Sequence, residues 1–210
     1  LSLLNGISSE GIIGRAYGDW RIPLAMIVGT DAWHGGNETT FSKTGTIYFG
    51  DKGRGKRSAR IGAIEGLFAR AGIPYAIPED MENRLWFKFM MNVGINQVTA
   101  ILRRPYRVLK SATRVPEAAE LFESAMREVI AVARAEGIVL GDADIAEIYR
   151  TVDTLTDEGK TSMCQDVEAR RKTEVELFSG TVLELAARHG IPAPVNALLW
   201  KMLKAIETSY

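Results

Sequence analysis

Three polar residues follow Arg84 at a regular spacing of four within the most apolar stretch of the chain, residues 84–96. They are Lys88, Asn92 and Asn96. At 3.6 residues per turn this spacing places all three on one face of a helix, and the apolar residues around them predict that the helix is buried. An ammonium group kept out of water has a lowered pKa and becomes a proton donor near neutral pH, and two carboxamides beside it could bind a small polar substrate. The alternative is that Lys88 extends to solvent and the asparagines satisfy nearby backbone groups.

A second group of polar residues lies in the last third of the chain, at residues 161–166 and 173–174. Here Ser162 could donate a hydrogen bond to a substrate carboxylate, and Glu174 could accept one from a hydroxyl. Ser162 is followed by Gln165 and Asp166, a spacing also typical of a capping box that only starts a helix. Both interpretations stay open from the sequence.

A third candidate is Asn5, which precedes Gly6 at the end of the apolar run Leu1–Leu4. This run predicts a short strand that ends at a turn. Ligands of open α/β sheets collect at the carboxyl ends of strands, so Asn5 is a candidate binding residue. An isolated Asn-Gly pair is also typical of an ordinary turn.

Composition excludes several other classes of function. The 210 residues include 26 Lys and Arg against 26 Asp and Glu, which favours neither nucleic acid nor an anionic membrane as a partner. The single cysteine, Cys164, allows no intrachain disulfide and is consistent with a cytoplasmic protein. The two histidines have no metal-ligand pattern around them, so we expect no metal. No apolar run is long enough to predict a membrane span.

Two parts of different composition position these candidates. The first third predicts an α/β arrangement: a short helix from Ser8 to about Tyr17, an antiparallel pair of strands at 22–30 and 39–49, a helix at 57–71 and a short strand at 74–77. The remainder predicts helices at 79–102, 116–136, 142–155, 162–171, 175–189 and 192–210. We therefore place a domain boundary near Pro78, giving domains at 1–78 and 79–210.

The order of these motifs resembles the ketopantoate reductase (2-dehydropantoate 2-reductase) family. The family carries an Asn-Gly turn after a late strand, a Trp-x-Lys-x-x-x-Asn-x-x-x-Asn helix, and a Ser-Ser-Met-x-Gln-Asp motif followed by Thr-Glu and Gly-Ile-Pro-x-Pro-x-Asn. The matching residues here are Asn5 and Gly6; Trp86, Lys88, Asn92 and Asn96; residues 161–166; Thr173 and Glu174; and residues 190–196. The first serine of the third motif is replaced by Thr161, which keeps a hydroxyl group.

The resemblance implies the later part of a Rossmann domain followed by an all-α domain of the 6-phosphogluconate dehydrogenase C-terminal type, with a cleft between them. It implies NADPH-dependent reduction of ketopantoate to pantoate, in pantothenate and coenzyme A biosynthesis. In that picture Lys88 protonates the carbonyl oxygen, and Asn92, Asn96 and Ser162 bind the substrate. Asn5 and Glu174 position the nicotinamide ribose and the substrate hydroxyls.

The chain also departs from this family, because no G-x-G-x-x-G sequence follows a strand. In the family this fingerprint would precede Leu1, so we expect the chain alone to bind NADPH poorly or not at all. A truncated sheet would expose apolar surface, which a partner chain or a homodimer could cover. Three alternatives remain: a non-catalytic helical module for self-association, a reductase of another small 2-keto acid, and an enzyme whose Lys88 forms a Schiff base.

Overall fold

The computed structural model describes residues 1–30, 33–35, 37–41 and 43–210, and it divides into two compact units. The first unit is Leu1–Leu85 and the second is Trp86–Tyr210. The division falls a few residues after the boundary expected near Pro78, inside a long helix. The α/β class of the first unit and the all-helical class of the second agree with the sequence-based fold prediction.

Among its described residues, the first unit contains five strands and two α-helices. In chain order these are α1 (Ser9–Tyr17), β1 (Leu24–Thr30), β2 (Trp33–Gly35), β3 (Glu38–Thr40), β4 (Thr44–Gly50), α2 (Ala59–Ala71) and β5 (Tyr75–Ala76). Strands β1 and β4 pair antiparallel, with Met26 opposite Tyr48, and β5 pairs parallel to β4, so the sheet order is β1-β4-β5. The antiparallel pairing predicted between the strands at 22–30 and 39–49 is confirmed for β1 and β4. The second predicted strand is divided, because Thr39 and Thr40 belong to β3, which pairs with β2 in a separate sheet. Ser42, between β3 and β4, lies outside the described residues.

The core of this unit lies between the sheet and α2. The rings of Phe49 on β4 and Phe68 on α2 meet edge to face at 5.4 Å, and Tyr75 packs beside both. Helix α2 ends at Gly72, whose φ of 67° is a left-handed conformation that glycine adopts without steric cost. This confirms the predicted helix end.

The strand predicted for the first four residues is wrong. Leu1–Leu4 pairs with no strand in the described part of the chain. A strand requires a neighbour for its backbone hydrogen bonds, and here side chains hold the segment instead. Ser2 donates to Ser9, Ser9 donates to Glu10, and Glu10 accepts from the backbone N–H of Ala25 on β1.

The second unit is built from helices only. They are α3 (Met81–Leu102, which begins in the first unit), α4 (Pro116–Ala135), α5 (Asp142–Asp153), α6 (Ser162–Glu168), α7 (Thr181–His189) and α8 (Pro194–Thr208), with a turn of π-helix at Glu176–Gly180 directly before α7. In the described residues no helix has both the length and the apolar character to cross a bilayer.

Helix α3 is the buried helix that its composition predicted. Its apolar residues are buried on nearly every side of the helix, including Phe89, Met90, Val93 and Val98. Such a helix has no solvent-facing stripe, so any polar residue on it must find a protein partner or face an opening.

Candidate active site

The lysine of α3 has the electrostatic environment that the sequence suggested. Lys88 is half-buried, and burial lowers the pKa of its ammonium group below the usual 10.5. The nearby carboxylate of Glu174 acts in the opposite direction and partly restores the pKa. The two residues are 86 positions apart in sequence, and the fold of the second unit brings them within electrostatic range. An ammonium with lowered pKa beside a carboxylate is typical of a proton donor.

The two asparagines lie about one and two helical turns after Lys88 on α3, on the face that carries Lys88. Asn92 is 7% exposed and Asn96 is 6% exposed. Among the described residues neither carboxamide makes a hydrogen bond to the protein, although their atoms are not sealed from solvent. Buried amides are normally satisfied by the protein, so these two carboxamides stay candidate substrate-binding groups.

Helix α6 contacts α3 through its cap residue, and that residue is not Ser162. The cap is Thr161, whose hydroxyl oxygen accepts from the backbone N–H of Cys164 at 3.1 Å and lies 2.9 Å from the hydroxyl of Thr99 on α3. The capping-box interpretation of Ser162 is therefore wrong. Its side chain is exposed, one residue after the contact between α6 and α3, and it stays a candidate substrate-binding residue.

Glu174 lies in a tightly held turn. The hydroxyl oxygen of Thr173 accepts from the backbone N–H of Val175 at 3.3 Å, which encloses Glu174 between them. The backbone carbonyl of Glu174 accepts from Leu177 at 2.9 Å, where the π-helical turn begins. Turns of π-helix occur frequently at functional sites. The Thr-Glu pair was visible in the sequence, but no spacing rule predicted this turn.

Asn5 belongs to the first unit. It lies at a bend after the unpaired segment Leu1–Leu4 and is half-buried. Of the six residues proposed from the sequence, the second unit holds five and brings Lys88 and Glu174 together electrostatically. Among the described residues, no group of three acidic, histidine or cysteine side chains is arranged to hold a metal ion.

Comparison with protein-family profiles identifies the family of this chain. Residues 80–207 match the profile described as ketopantoate reductase PanE/ApbA C terminal, which covers α3 to α8. The chain belongs to the ketopantoate reductase family. Its all-helical second unit is the C-terminal domain of that family, and the resemblance drawn from the motifs is confirmed.

Curated relatives agree with this assignment. The chain is 29% identical over 204 residues to a 2-dehydropantoate 2-reductase of Pyrobaculum aerophilum, covering 97% of this chain and 68% of the relative. It is 31% identical over 182 residues to the enzyme of the same name from Vibrio cholerae, covering 84% of this chain and 60% of the relative. The chain thus spans less than two thirds of some of the relatives it matches.

Solved structures share the fold. The 2-dehydropantoate 2-reductase of Geobacter metallireducens aligns with a TM-score of 0.84 at 26% identity, covering 97% of this chain and 66% of that one. A dimeric ketopantoate reductase from Staphylococcus aureus aligns with a TM-score of 0.81 at 20% identity, covering 99% and 68%. A D-mandelate dehydrogenase in complex with NADH aligns with a TM-score of 0.81 at 22% identity, also covering 99% and 69%. At these last two identities the likeness concerns the fold alone.

Proposed function

We propose that this chain carries the proton donor and the keto-acid binding residues of an NADPH-dependent ketopantoate reductase, which forms pantoate for coenzyme A biosynthesis. The observation that carries the proposal is the desolvated ammonium of Lys88 beside Glu174, on the same helix face as two buried carboxamides. The names of the relatives from Pyrobaculum and Vibrio supply the substrate.

The chemistry required of these residues follows from the reaction. A nicotinamide held by this protein would supply the hydride that adds to the carbonyl carbon of the keto acid. The carbonyl oxygen gains negative charge as this happens, and Lys88 gives it a proton from an ammonium whose burial has already weakened its hold on that proton. Asn92 and Asn96 donate hydrogen bonds to the substrate oxygens, and Ser162 donates to its carboxylate.

The fit of the chain to the cofactor is partial. Asn5 and Glu174 offer hydrogen-bonding groups for the nicotinamide ribose, but the printed sequence contains no glycine-rich fingerprint for the pyrophosphate. We therefore propose that the chain alone binds NADPH weakly. The NADH in the D-mandelate dehydrogenase complex supports a nicotinamide cofactor for this fold and leaves the preference for NADPH as a proposal.

A second candidate is the reduction of another small 2-keto acid. The neighbouring D-mandelate dehydrogenase favours it, because its name indicates a different 2-hydroxy acid on the same fold. Both candidates use the same proton donor and differ only in the side chain of the substrate. The dimeric Staphylococcus structure supports a homodimer as the assembly. The cytoplasmic location stays a prediction from the cysteine content.

The test is nicotinamide oxidation with ketopantoate, in a protein where this chain follows a complete nucleotide-binding half. Lys88→Ala is expected to lower turnover by roughly a hundredfold, the usual contribution of a general acid. Lys201→Ala, which removes an exposed lysine from α8, is the matched control and should leave turnover unchanged. An unchanged rate for Lys88→Ala would remove this residue from the mechanism.

Further assays separate the alternatives. Borohydride treatment with ketopantoate should leave Lys88 unmodified, since a proton donor forms no covalent bond, and a trapped adduct would favour a Schiff-base enzyme. Turnover of phenylglyoxylate in preference to ketopantoate would favour the second candidate. The absence of turnover with any small 2-keto acid would favour a non-catalytic helical module.

A further inference from the structure

The segment that carries Glu174, residues 173–179, is held by hydrogen bonds at both of its ends. At its start, Glu207 on α8 accepts two hydrogen bonds through the same carboxylate oxygen, from the backbone N–H of Thr173 at 2.7 Å and from its hydroxyl at 2.6 Å. At its end, the buried hydroxyl of Ser179 donates to Gln97 on α3 at 2.6 Å. Glu174 follows the first anchor directly, so the first anchor controls its position more closely.

The carboxylate of Glu207 is built to stay charged in this position. Its side chain is only 9% exposed, and burial alone would raise its pKa. The hydrogen bonds from Thr173 and from Lys204, whose Nζ lies 3.1 Å away, outweigh burial, so the pKa of Glu207 is lowered. A buried carboxylate that accepts a backbone N–H and a hydroxyl holds a loop more firmly than a neutral acceptor does.

The hydroxyl of Thr173 transmits this hold across Glu174. It donates to Glu207 and accepts from the backbone N–H of Val175, so one oxygen connects α8 to both sides of the turn. With the flanking backbone fixed, the Glu174 side chain starts from a defined position, and its charge acts on Lys88. Loss of the Glu207 contact would let the turn move and would weaken that charge interaction.

We propose that Glu207 is a positioning residue, which acts through Thr173 to hold the Glu174 carboxylate beside Lys88. The inference rests on the proposed function only in treating Lys88 as the proton donor. The positioning itself is a property of this chain and can be measured without cofactor or substrate.

A neighbouring carboxylate on the same segment provides a matched control. Glu176 also forms an ion pair with Lys204, at 3.2 Å, and accepts from the indole N–H of Trp200 at 3.1 Å. Both of these contacts of the Glu176 carboxylate are made to α8, and neither involves Thr173. Glu176→Gln therefore removes one of the two carboxylates paired with Lys204 and leaves the hydrogen bonds between Glu207 and Thr173 in place.

The experiment is an NMR titration of the Lys88 side chain in this chain and its variants, with folding checked by circular dichroism. Glu207→Gln should lower the Lys88 pKa, in the same direction as Glu174→Gln and by a part of that shift. Glu176→Gln should leave it unchanged. In a Glu174→Gln background, Glu207→Gln should have no further effect, because the carboxylate through which it acts is gone.

Two threonine variants protect the test against a fold defect in Glu207→Gln. Thr173→Val keeps every charge and removes the hydroxyl, and it should lower the Lys88 pKa, whereas Thr173→Ser should restore the parent value. Equal shifts from Glu207→Gln with and without Glu174 would overturn the proposal, as would an unchanged Lys88 pKa in folded Glu207→Gln or Thr173→Val. A negative turnover assay would refute the proposed function and leave these titrations to be judged on their own.

Discussion

Gly94 on α3 gives a prediction whose size can be worked from the structure. A Cβ atom added at this position would lie 2.5 and 2.7 Å from two ring carbons of Phe122 on α4, and 3.1 Å from the Cγ of Met126. Ordinary contacts of this kind are 3.4–4 Å. The missing side chain of Gly94 therefore makes room for the Phe122 ring of the neighbouring helix.

The cost of Gly94→Ala depends on whether that ring can move. Phe122 is fully buried and its ring meets Tyr149 edge to face at 5.3 Å, so it has little space to retreat. Overpacking of this kind costs about 1–3 kcal/mol. Alanine returns about 0.5–1 kcal/mol through its better helix propensity. We therefore expect a net loss of about 1–2 kcal/mol in the free energy of unfolding.

The assay is urea unfolding followed by circular dichroism. The control is Gly62→Ala on α2, where a Cβ would meet nothing within 4 Å, so the same substitution should raise stability by about 0.5–1 kcal/mol. In a Phe122→Leu background, which makes space, Gly94→Ala should cost less than in the parent chain. A Gly94→Ala chain as stable as the parent would refute the packing argument.

Two further substitutions test helix ends. The Glu128 carboxylate accepts 2.8 Å hydrogen bonds from the backbone N–H groups of Val195 and Asn196 at the start of α8. Glu128→Gln should therefore lower the free energy of unfolding by about 1–2 kcal/mol. An unchanged urea midpoint would contradict this. Arg103, directly after α3, has a φ of 50°, a conformation that glycine adopts at lower cost. Arg103→Gly should therefore raise the free energy of unfolding by about 1 kcal/mol. A lower urea midpoint would contradict this and show that the arginine side chain stabilises the fold by more than its backbone strain costs.

The helical half of the fold could be predicted because its signals are local. The apolar residues around Lys88 marked α3 as buried, and glycines after α2 and α7 marked where those helices end. The first four residues show the limit of such signals. An apolar run predicts a strand, but whether it pairs depends on a neighbour elsewhere in the chain, and here Ser2 is held by a side chain instead.

The candidate site was predictable in part for the same reason. Lys88, Asn92 and Asn96 share one helix, so their spacing alone places them on one face. The capping-box alternative named Ser162, whereas the cap of α6 is Thr161, because two adjacent hydroxyl residues give the same signal. Glu207 could not be found at all, since its partner Thr173 is 34 residues away and joined to it only by the fold.

The measurement that tests the central claim most directly is the pKa of Lys88 in the unaltered chain, read from its side-chain NMR signals between neutral and alkaline pH. We predict a pKa below the usual 10.5, because burial of the ammonium lowers the pKa by more than the charge of Glu174 raises it. Because the folded pKa lies below the unfolded one, the lysine's contribution to stability should rise as the pH increases between those two values. A Lys88 pKa at or above 10.5 would contradict the account, since the group would then be hydrated or fully paired and poorly suited to donate a proton near neutral pH.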